Sequence, residues 1–178
     1  MICTRLLTTV FTVWLFPACA FAQESGTTSK KIFAINTDNG HFFGYRNADE
    51  MTRDGLHAWV DQYIDTQVTH LFICPNARRA SFRSKTREAI WDPTNGVAPD
   101  HRWPINAKVL YDKGIDPYRV WIDRCKEKKI SVWLSVRMND MHQAEDFDNF
   151  QHSSFWRNNI HLWREPHHEH GSGLNYAY

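Results

Sequence analysis

Short apolar runs alternate with polar, helix-spaced segments along this chain, and the alternation predicts its elements. Lys31 to Asn36 (KIFAIN) is a run of β-branched and aromatic residues that stops at the turn formers Asn36-Thr37-Asp38-Asn39-Gly40, the pattern of a strand followed by a loop. From about Thr52 to Thr66 the apolar positions Leu56, Trp59, Val60, Tyr63 and Ile64 recur at helical spacing, which predicts an amphipathic helix capped by Thr52 or Asn47. Thr69 to Cys74 (THLFIC) repeats the first pattern and ends in Pro75-Asn76. The polar stretch from Asn76 to about Ile115 reads as a long loop. Asp116-Pro117 then supplies a cap and a first-turn proline for a helix through Tyr118, Val120, Trp121, Ile122 and Cys125, and the lysines between Lys126 and Lys129 suit the negative end of its dipole. Ile130 to Val136 (ISVWLSV) is a third strand, apolar at most positions, as expected of a parallel strand covered on both faces.

A β-α-β-α-β order with such strands implies a parallel sheet with right-handed crossovers, compatible with a doubly wound sheet or a (β/α) barrel. The connections after strands two and three are long and those from helix back to strand are short. Loops therefore gather at the carboxyl ends of the strands, where both architectures bind ligands. A dinucleotide-binding sheet needs a glycine-rich turn after its first strand; Asn36 to His41 lacks GxGxxG spacing, which favours the barrel and implies no cofactor. A complete barrel takes about 250 residues, whereas this chain has 178. The expectation is an α/β fold, the N-terminal part of a (β/α)8 TIM barrel, truncated after three βα units.

Residues 1–22 carry a secretory signal pattern: a basic start to Arg5, an apolar run from Leu6 to Phe16, and a small-x-small site at Ala20-Phe21-Ala22. The run is too short to span a bilayer, so cleavage after Ala22 predicts a secreted or periplasmic chain with no transmembrane segment. Lipidation at Cys19 is a second reading, against which Phe16-Pro17-Ala18 is a poor recognition box. Residues 23–30 form a polar linker, and 31–178 the folded domain. The 21 Lys+Arg and 20 Asp+Glu leave a net charge of +1 with His neutral, which excludes a nucleic-acid partner held by bulk electrostatics. Cys74 and Cys125 remain after export, either as one disulfide or as two buried thiols.

The strand ends concentrate the candidate chemistry: Asn36 and Asp38 after strand one, Asn76 after strand two, and Arg137, Asn139, Asp140 and His142 after strand three. Such planar hydrogen-bonding groups suit sugars when aromatic faces back them, and Trp91, Trp103, Trp156 and Trp163 lie in the long loops. The competing structural reading is that Asn and Asp end strands because they form turns, and that an Arg137–Asp140 ion pair pins the loop. Two further clusters stand out. His161, Glu165, His167, His168, Glu169 and His170 crowd together without any known metal-ligand spacing, so no metal is assigned. Arg78, Arg79, Arg83, Lys85 and Arg87, with Phe82 among them, form a basic stretch that meets phosphate or a uronic acid, or is solvated, or is neutralised by acidic groups elsewhere.

Ile35-Asn36-Thr37-Asp38, Phe72-Ile73-Cys74-Pro75-Asn76 and above all the run from Val132 to His142 (VWLSVRMNDMH) resemble the opening of glycosyl-hydrolase-like TIM-barrel proteins, secreted proteins of environmental bacteria. Phe155-Trp156-Arg157 and the closing Leu174-Asn175-Tyr176-Ala177-Tyr178 extend the likeness. The resemblance implies a carbohydrate or polysaccharide partner, held by Asn36, Asp38, Asn76, Arg137, Asn139, Asp140, His142 and Trp156. In such barrels the acid/base ends strand four and the nucleophile ends strand seven, so the fragment alone is expected to be inactive. Glycoside cleavage needs two carboxyl groups about 5 to 9.5 Å apart; Asp38 and Asp140 are expected to bind substrate or fix loops instead. The alternatives are a non-catalytic carbohydrate-binding exported protein and a metal-dependent hydrolase using the His-rich loop. A half barrel also bares an apolar sheet edge, and self-association is expected of it.

Overall fold

A parallel three-stranded sheet with helices between its strands organises the chain. The computed structural model describes residues 31–38 and 40–164. The signal segment, the linker, the closing Leu174–Tyr178 and all of the His-rich run but His161 lie outside the described residues. The strands are β1 (Ala34–Thr37), β2 (His70–Ile73) and β3 (Ser131–Leu134), hydrogen-bonded in the order β1-β2-β3. Their register sets Ile35, Leu71 and Val132 side by side, and Asn36, Phe72 and Trp133 one residue later on the opposite face. The helices are α1 (Gly40–Tyr45), α2 (Arg53–Asp61), α3 (Arg102–Asp112), α4 (Pro117–Glu127) and α5 (Ser154–Asn158). No helix among the described residues is long and apolar enough to cross a membrane.

Local chemistry sets these boundaries. Thr52 caps α2 by accepting from the Gly55 N–H, while Asn47 caps the short 3-10 turn Ala48–Glu50 before it. Asp116 Oδ1 accepts from the backbone N–H groups of Tyr118 and Arg119 at 3.0 and 3.2 Å, and Pro117 fills the first turn of α4. Both α3 and α4 end in the same reversal, with Ile115 N–H bonded to Leu110 C=O and Ile130 N–H to Cys125 C=O. Gly114 takes the left-handed position in the first (φ 67°), and Lys129 takes it in the second (φ 60°).

The core lies on one side of the sheet, between the strands and the helices. Trp121 of α4 is its centre, with the rings of Trp59 at 4.6 Å, Phe42 at 5.3 Å, Tyr118 at 5.4 Å and Phe43 at 5.8 Å. The Trp121 Nε1–H finds no acceptor among the described residues; an unpaired buried donor costs about 1–3 kcal/mol, a cost opposed by burial of the whole indole. Arg124 of α4 clamps Asp61 of α2 with two bonds of 2.8 and 2.6 Å, tying the two helices outside the apolar contact. Cys74 and Cys125 are separate buried thiols, and burial pushes the Cys125 thiol up to about 11.

Two expectations are corrected. β3 is not covered on both faces: Trp133 is 58% exposed and stacks only on Phe72, because this face of the sheet carries no helix among the described residues. The stretch from Asn76 to Ile115 is not all loop, since α3 lies inside it. Trp103, Ala107 and Leu110 form its buried stripe, but the buried Asn106 interrupts the apolar signal. That Asn is what docks α3 on α1, donating to the carbonyls of Phe43 and Arg46 at 2.8 and 2.9 Å.

Two substitutions test these boundaries against simple propensity. A Cβ on Gly55 would lie 2.0 Å from the Glu50 carbonyl oxygen, so Gly55→Ala, favourable in an open helix, is expected to destabilise by about 1–3 kcal/mol in urea unfolding. Lys129→Gly relieves a left-handed non-glycine residue and is expected to stabilise by about 0.5–1 kcal/mol in the same measurement.

Candidate functional site

Arg137, three residues beyond the end of β3, joins the carboxyl ends of all three strands. Its Nη2 donates to Asp38 Oδ1, just past β1, at 2.6 Å, and its Nη1 to Asp140 Oδ2 at 2.9 Å. Its backbone is held by Asn76, which follows β2: Asn76 Oδ1 accepts from the Arg137 N–H at 3.2 Å and Asn76 Nδ2 donates to the Arg137 carbonyl at 2.9 Å. Asp140 in turn accepts from the His142 backbone N–H at 2.8 Å and lies 2.7 Å from His142 Nδ1. A carboxylate accepts only, so the imidazole carries a proton on Nδ1 and, in its neutral form, presents Nε2 as an acceptor. The Arg137–Asp140 pair of the structural reading is therefore present, and it belongs to a larger network.

The network borders two clefts that share Arg137 as a wall. The first, about 280 Å³, is lined by Asp38, His41, Tyr45, His101, His142 and Gln151, with Trp103 behind them. That volume lies at the lower end for small-molecule sites. Tyr45 is 76% exposed at its rim, and His101 Nδ1 accepts from the Trp103 N–H, leaving the proton of its neutral ring on Nε2. The second, about 320 Å³, runs past Arg78, Arg87, Asn139 and Asp140 to Ser153 and Phe155.

Six of the eight expected residues gather on these clefts, but they do not play equal parts. Asp38 and His142 face the first, Asn139, Asp140 and Trp156 border the second, and Arg137 borders both. Asn76 is buried and positions Arg137 through the backbone instead of lining either cleft. Asn36 points to the uncovered sheet face beside Phe72. Trp156 is 1% exposed, its ring stacked on His152 at 4.1 Å and on Trp163 at 4.2 Å, with Arg78 4.5 Å from its centre. Its indole holds the loop together, which corrects the picture of an open stacking platform. Trp91 and Trp103 are buried as well. His41, Tyr45, His101 and Gln151 were not picked out from the sequence; only His41 and Tyr45, on the helix directly after β1, carried a signal there, namely nearness to a strand end.

The basic stretch divides by role. Arg79 is buried and binds Glu88 together with the Asp92 and Phe150 carbonyls, while Arg83 pairs with Asp92 through two bonds of 2.8 and 3.0 Å. Arg78 and Arg87 line the second cleft.

Two buried groups give the site a pH signature. Burial raises the Asp140 carboxyl, but Arg137 and the two His142 donors outweigh it and hold the group below its ordinary range. Burial, and then the Arg78 charge, push His152 down to about 4. His152 is therefore neutral in the fold, accepting from Arg78 at Nδ1 and donating from Nε2 to the Gln143 carbonyl. A His lowered in this way stabilises fully above pH 6.5 and loses that contribution as pH falls from 6.5 to 4, about 3 kcal/mol in all. Asp140 adds a loss below pH 4, as pH falls through its folded value. Unfolding free energy measured against pH is expected to slope downward between 6.5 and 4 in the wild type and to flatten there in His152→Gln. Asp140→Asn should remove the further loss below pH 4 and leave the upper slope intact. No family model matches this chain, and no curated protein matches it in sequence.

Proposed function

We propose that the three described strands are the first βα units of a glycosyl-hydrolase-like (β/α) barrel and that the strand-end clefts hold a glycan. One observation carries the reading: three parallel strands in sequential order end on one edge in Asp38, Asn76 and the Arg137–His142 segment, and a single guanidinium joins them beside a cleft. The groups facing that cleft mix acceptors, Asp38 and His142 Nε2, with donors and two-way groups, Gln151, Tyr45 and the His101 ring. A hydroxyl-rich ligand needs both kinds, because each sugar hydroxyl donates and accepts. Tyr45 supplies the exposed aromatic face that the buried tryptophans do not.

The part played by these residues is to hold the ligand. Asp38 and Asp140 are both engaged by Arg137, and Asp140, held below its ordinary range by that pairing and by His142, is poorly suited to protonate a leaving oxygen. In the barrel reading the acid and nucleophile belong to strands four and seven. The same pairing favours the second reading, a carbohydrate-binding protein without catalysis, and a carboxylate at the end of a fourth strand separates the two.

Titration of the full chain with a panel of neutral and acidic saccharides, followed by calorimetry and NMR, tests the glycan reading. At least one saccharide is expected to bind with Kd of about 1 mM or tighter, weakened about tenfold in both Tyr45→Ala and His142→Ala. Both side chains are largely exposed, so the variants keep the fold. Absence of any binding tighter than about 10 mM across the panel overturns the proposal.

A further inference from the structure

We infer that the second cleft is an oxyanion subsite, taking the sulfate or carboxylate group of an acidic sugar; the sugar part rests on the glycan reading above, the anion part does not. The cleft brings Arg78, Arg87 and Arg137 together with three neutral hydrogen-bonding side chains, Thr86, Asn139 and Ser153. It also contains two carboxylates, Glu88 and Asp140, and both are already saturated by the protein.

Glu88 Oε2 accepts from Arg79 Nε and Nη2, both at 2.9 Å, and Glu88 Oε1 accepts from the Ser154 N–H at 2.9 Å and from its hydroxyl. Asp140 is occupied by Arg137 and by both donors of His142. Arg87 differs: it is exposed at the mouth and makes no side-chain hydrogen bond or ion pair among the described residues. A guanidinium offers five donors in a planar fork that matches a carboxylate or sulfate edge. The walls add a positive field. Arg78 stands over Trp156, and Arg157, buried just behind, is pushed below its ordinary value first by burial and then by the Arg79 charge. The exposed ring of Phe155 at the rim gives a sugar an apolar face beside the anion.

The geometry thus divides one ligand between two clefts, hydroxyls on the Asp38 side and an anionic group on the Arg87 side, with Arg137 between them. The basic stretch seen in the sequence is accounted for in the same way: Arg79 is buried on Glu88 and Arg83 pairs with Asp92 at the surface, Arg78 lines the cleft while donating to the His142 carbonyl and to His152, and the exposed Arg87 lines it as well.

The test starts with sodium sulfate as the probe, titrated at constant ionic strength and followed by the arginine side-chain NMR signals. Saturable binding is expected, weakened about tenfold in Arg87→Ala. Arg119→Ala removes an equally positive, exposed residue of α4 that pairs with Asp123, and it is expected to leave the affinity within about twofold. Equal effects of the two variants, or no saturable shift, overturn the inference. Matched sugars form the second arm: galactose 6-sulfate against galactose, and glucuronate against glucose. The charged member of either pair should bind at least about tenfold tighter than its neutral partner, with that gain lost in Arg87→Ala. Neutral and charged sugars binding alike would overturn the oxyanion subsite and leave the glycan reading standing. Sulfate bound through Arg87 with no sugar bound at all would support the anion subsite and overturn the glycan reading.

Discussion

Two carboxylates and one guanidinium hold the strand-end edge of this protein together. Asp38 follows the first strand and Asp140 lies in the loop after the third, and brought to one edge without a cation they would repel each other. Arg137 bonds to both, and Asn76 at the end of the second strand fixes its backbone from the side. Because Asp140 is 2% exposed, removal of Arg137 would leave a buried charge uncompensated, one of the more costly defects available to a folded chain. Both clefts use this residue as a wall, so their shapes depend on one side chain being held in one place.

Around that edge the long connections are built from polar anchors more than from a second apolar core. Arg79 sits where a core residue would, bound to Glu88 and to two carbonyls, and Glu88 reaches on to the start of α5. His152, Trp156 and Trp163 stack in series behind the second cleft, with Arg78 against the middle ring. The aromatic richness of the chain is thus used mainly to stiffen loops and to fill the helix layer around Trp121. Exposed aromatic rings include Tyr45 and Phe155 at the cleft rims and Trp133 on the uncovered sheet face, besides Phe33, Tyr111 and Phe147 elsewhere. In the barrel reading that face, with Phe72 and Trp133 stacked on it, is the wall of the barrel interior.

Much of the fold was legible because it rests on local signals. The two helices with clear caps start where Thr52 and Asp116 placed them, on the stripes of Leu56, Trp59, Val60 and of Tyr118, Val120, Trp121, Cys125, but α2 ends at Asp61, short of the expected Thr66, and leaves Tyr63 and Ile64 in the turn that follows. β2 and β3 lie within their apolar runs, and β1 starts inside its run and extends one residue past it to Thr37, which pairs with Ile73; each strand is shorter than its run because ladder pairing stops where the neighbour stops. What escaped were the short helices α1 and α5 and, above all, α3, whose stripe contains Asn106. A buried Asn that bonds to another helix cannot be told from a surface Asn by periodicity alone.

The sequence by itself determined the alternation of strands and helices, the parallel arrangement that follows from it, and the collection of Asp38, Asn76 and Arg137 to His142 at strand ends. These follow from short-range propensity and from the geometry that forces parallel strands to deposit their loops on one edge. Tertiary structure alone decided which of those polar groups face a cleft and which are consumed by the protein: Asn76 became a backbone clamp, Trp156 a packed ring, and Tyr45 an exposed one. The division between Arg79 and Arg83, each paired with a carboxylate of the chain, and Arg87, which is not, was decided in the same way. A side chain's partners lie far from it in sequence, as Asp38 and Arg137 do, and only the packed chain settles whether a charge is already answered.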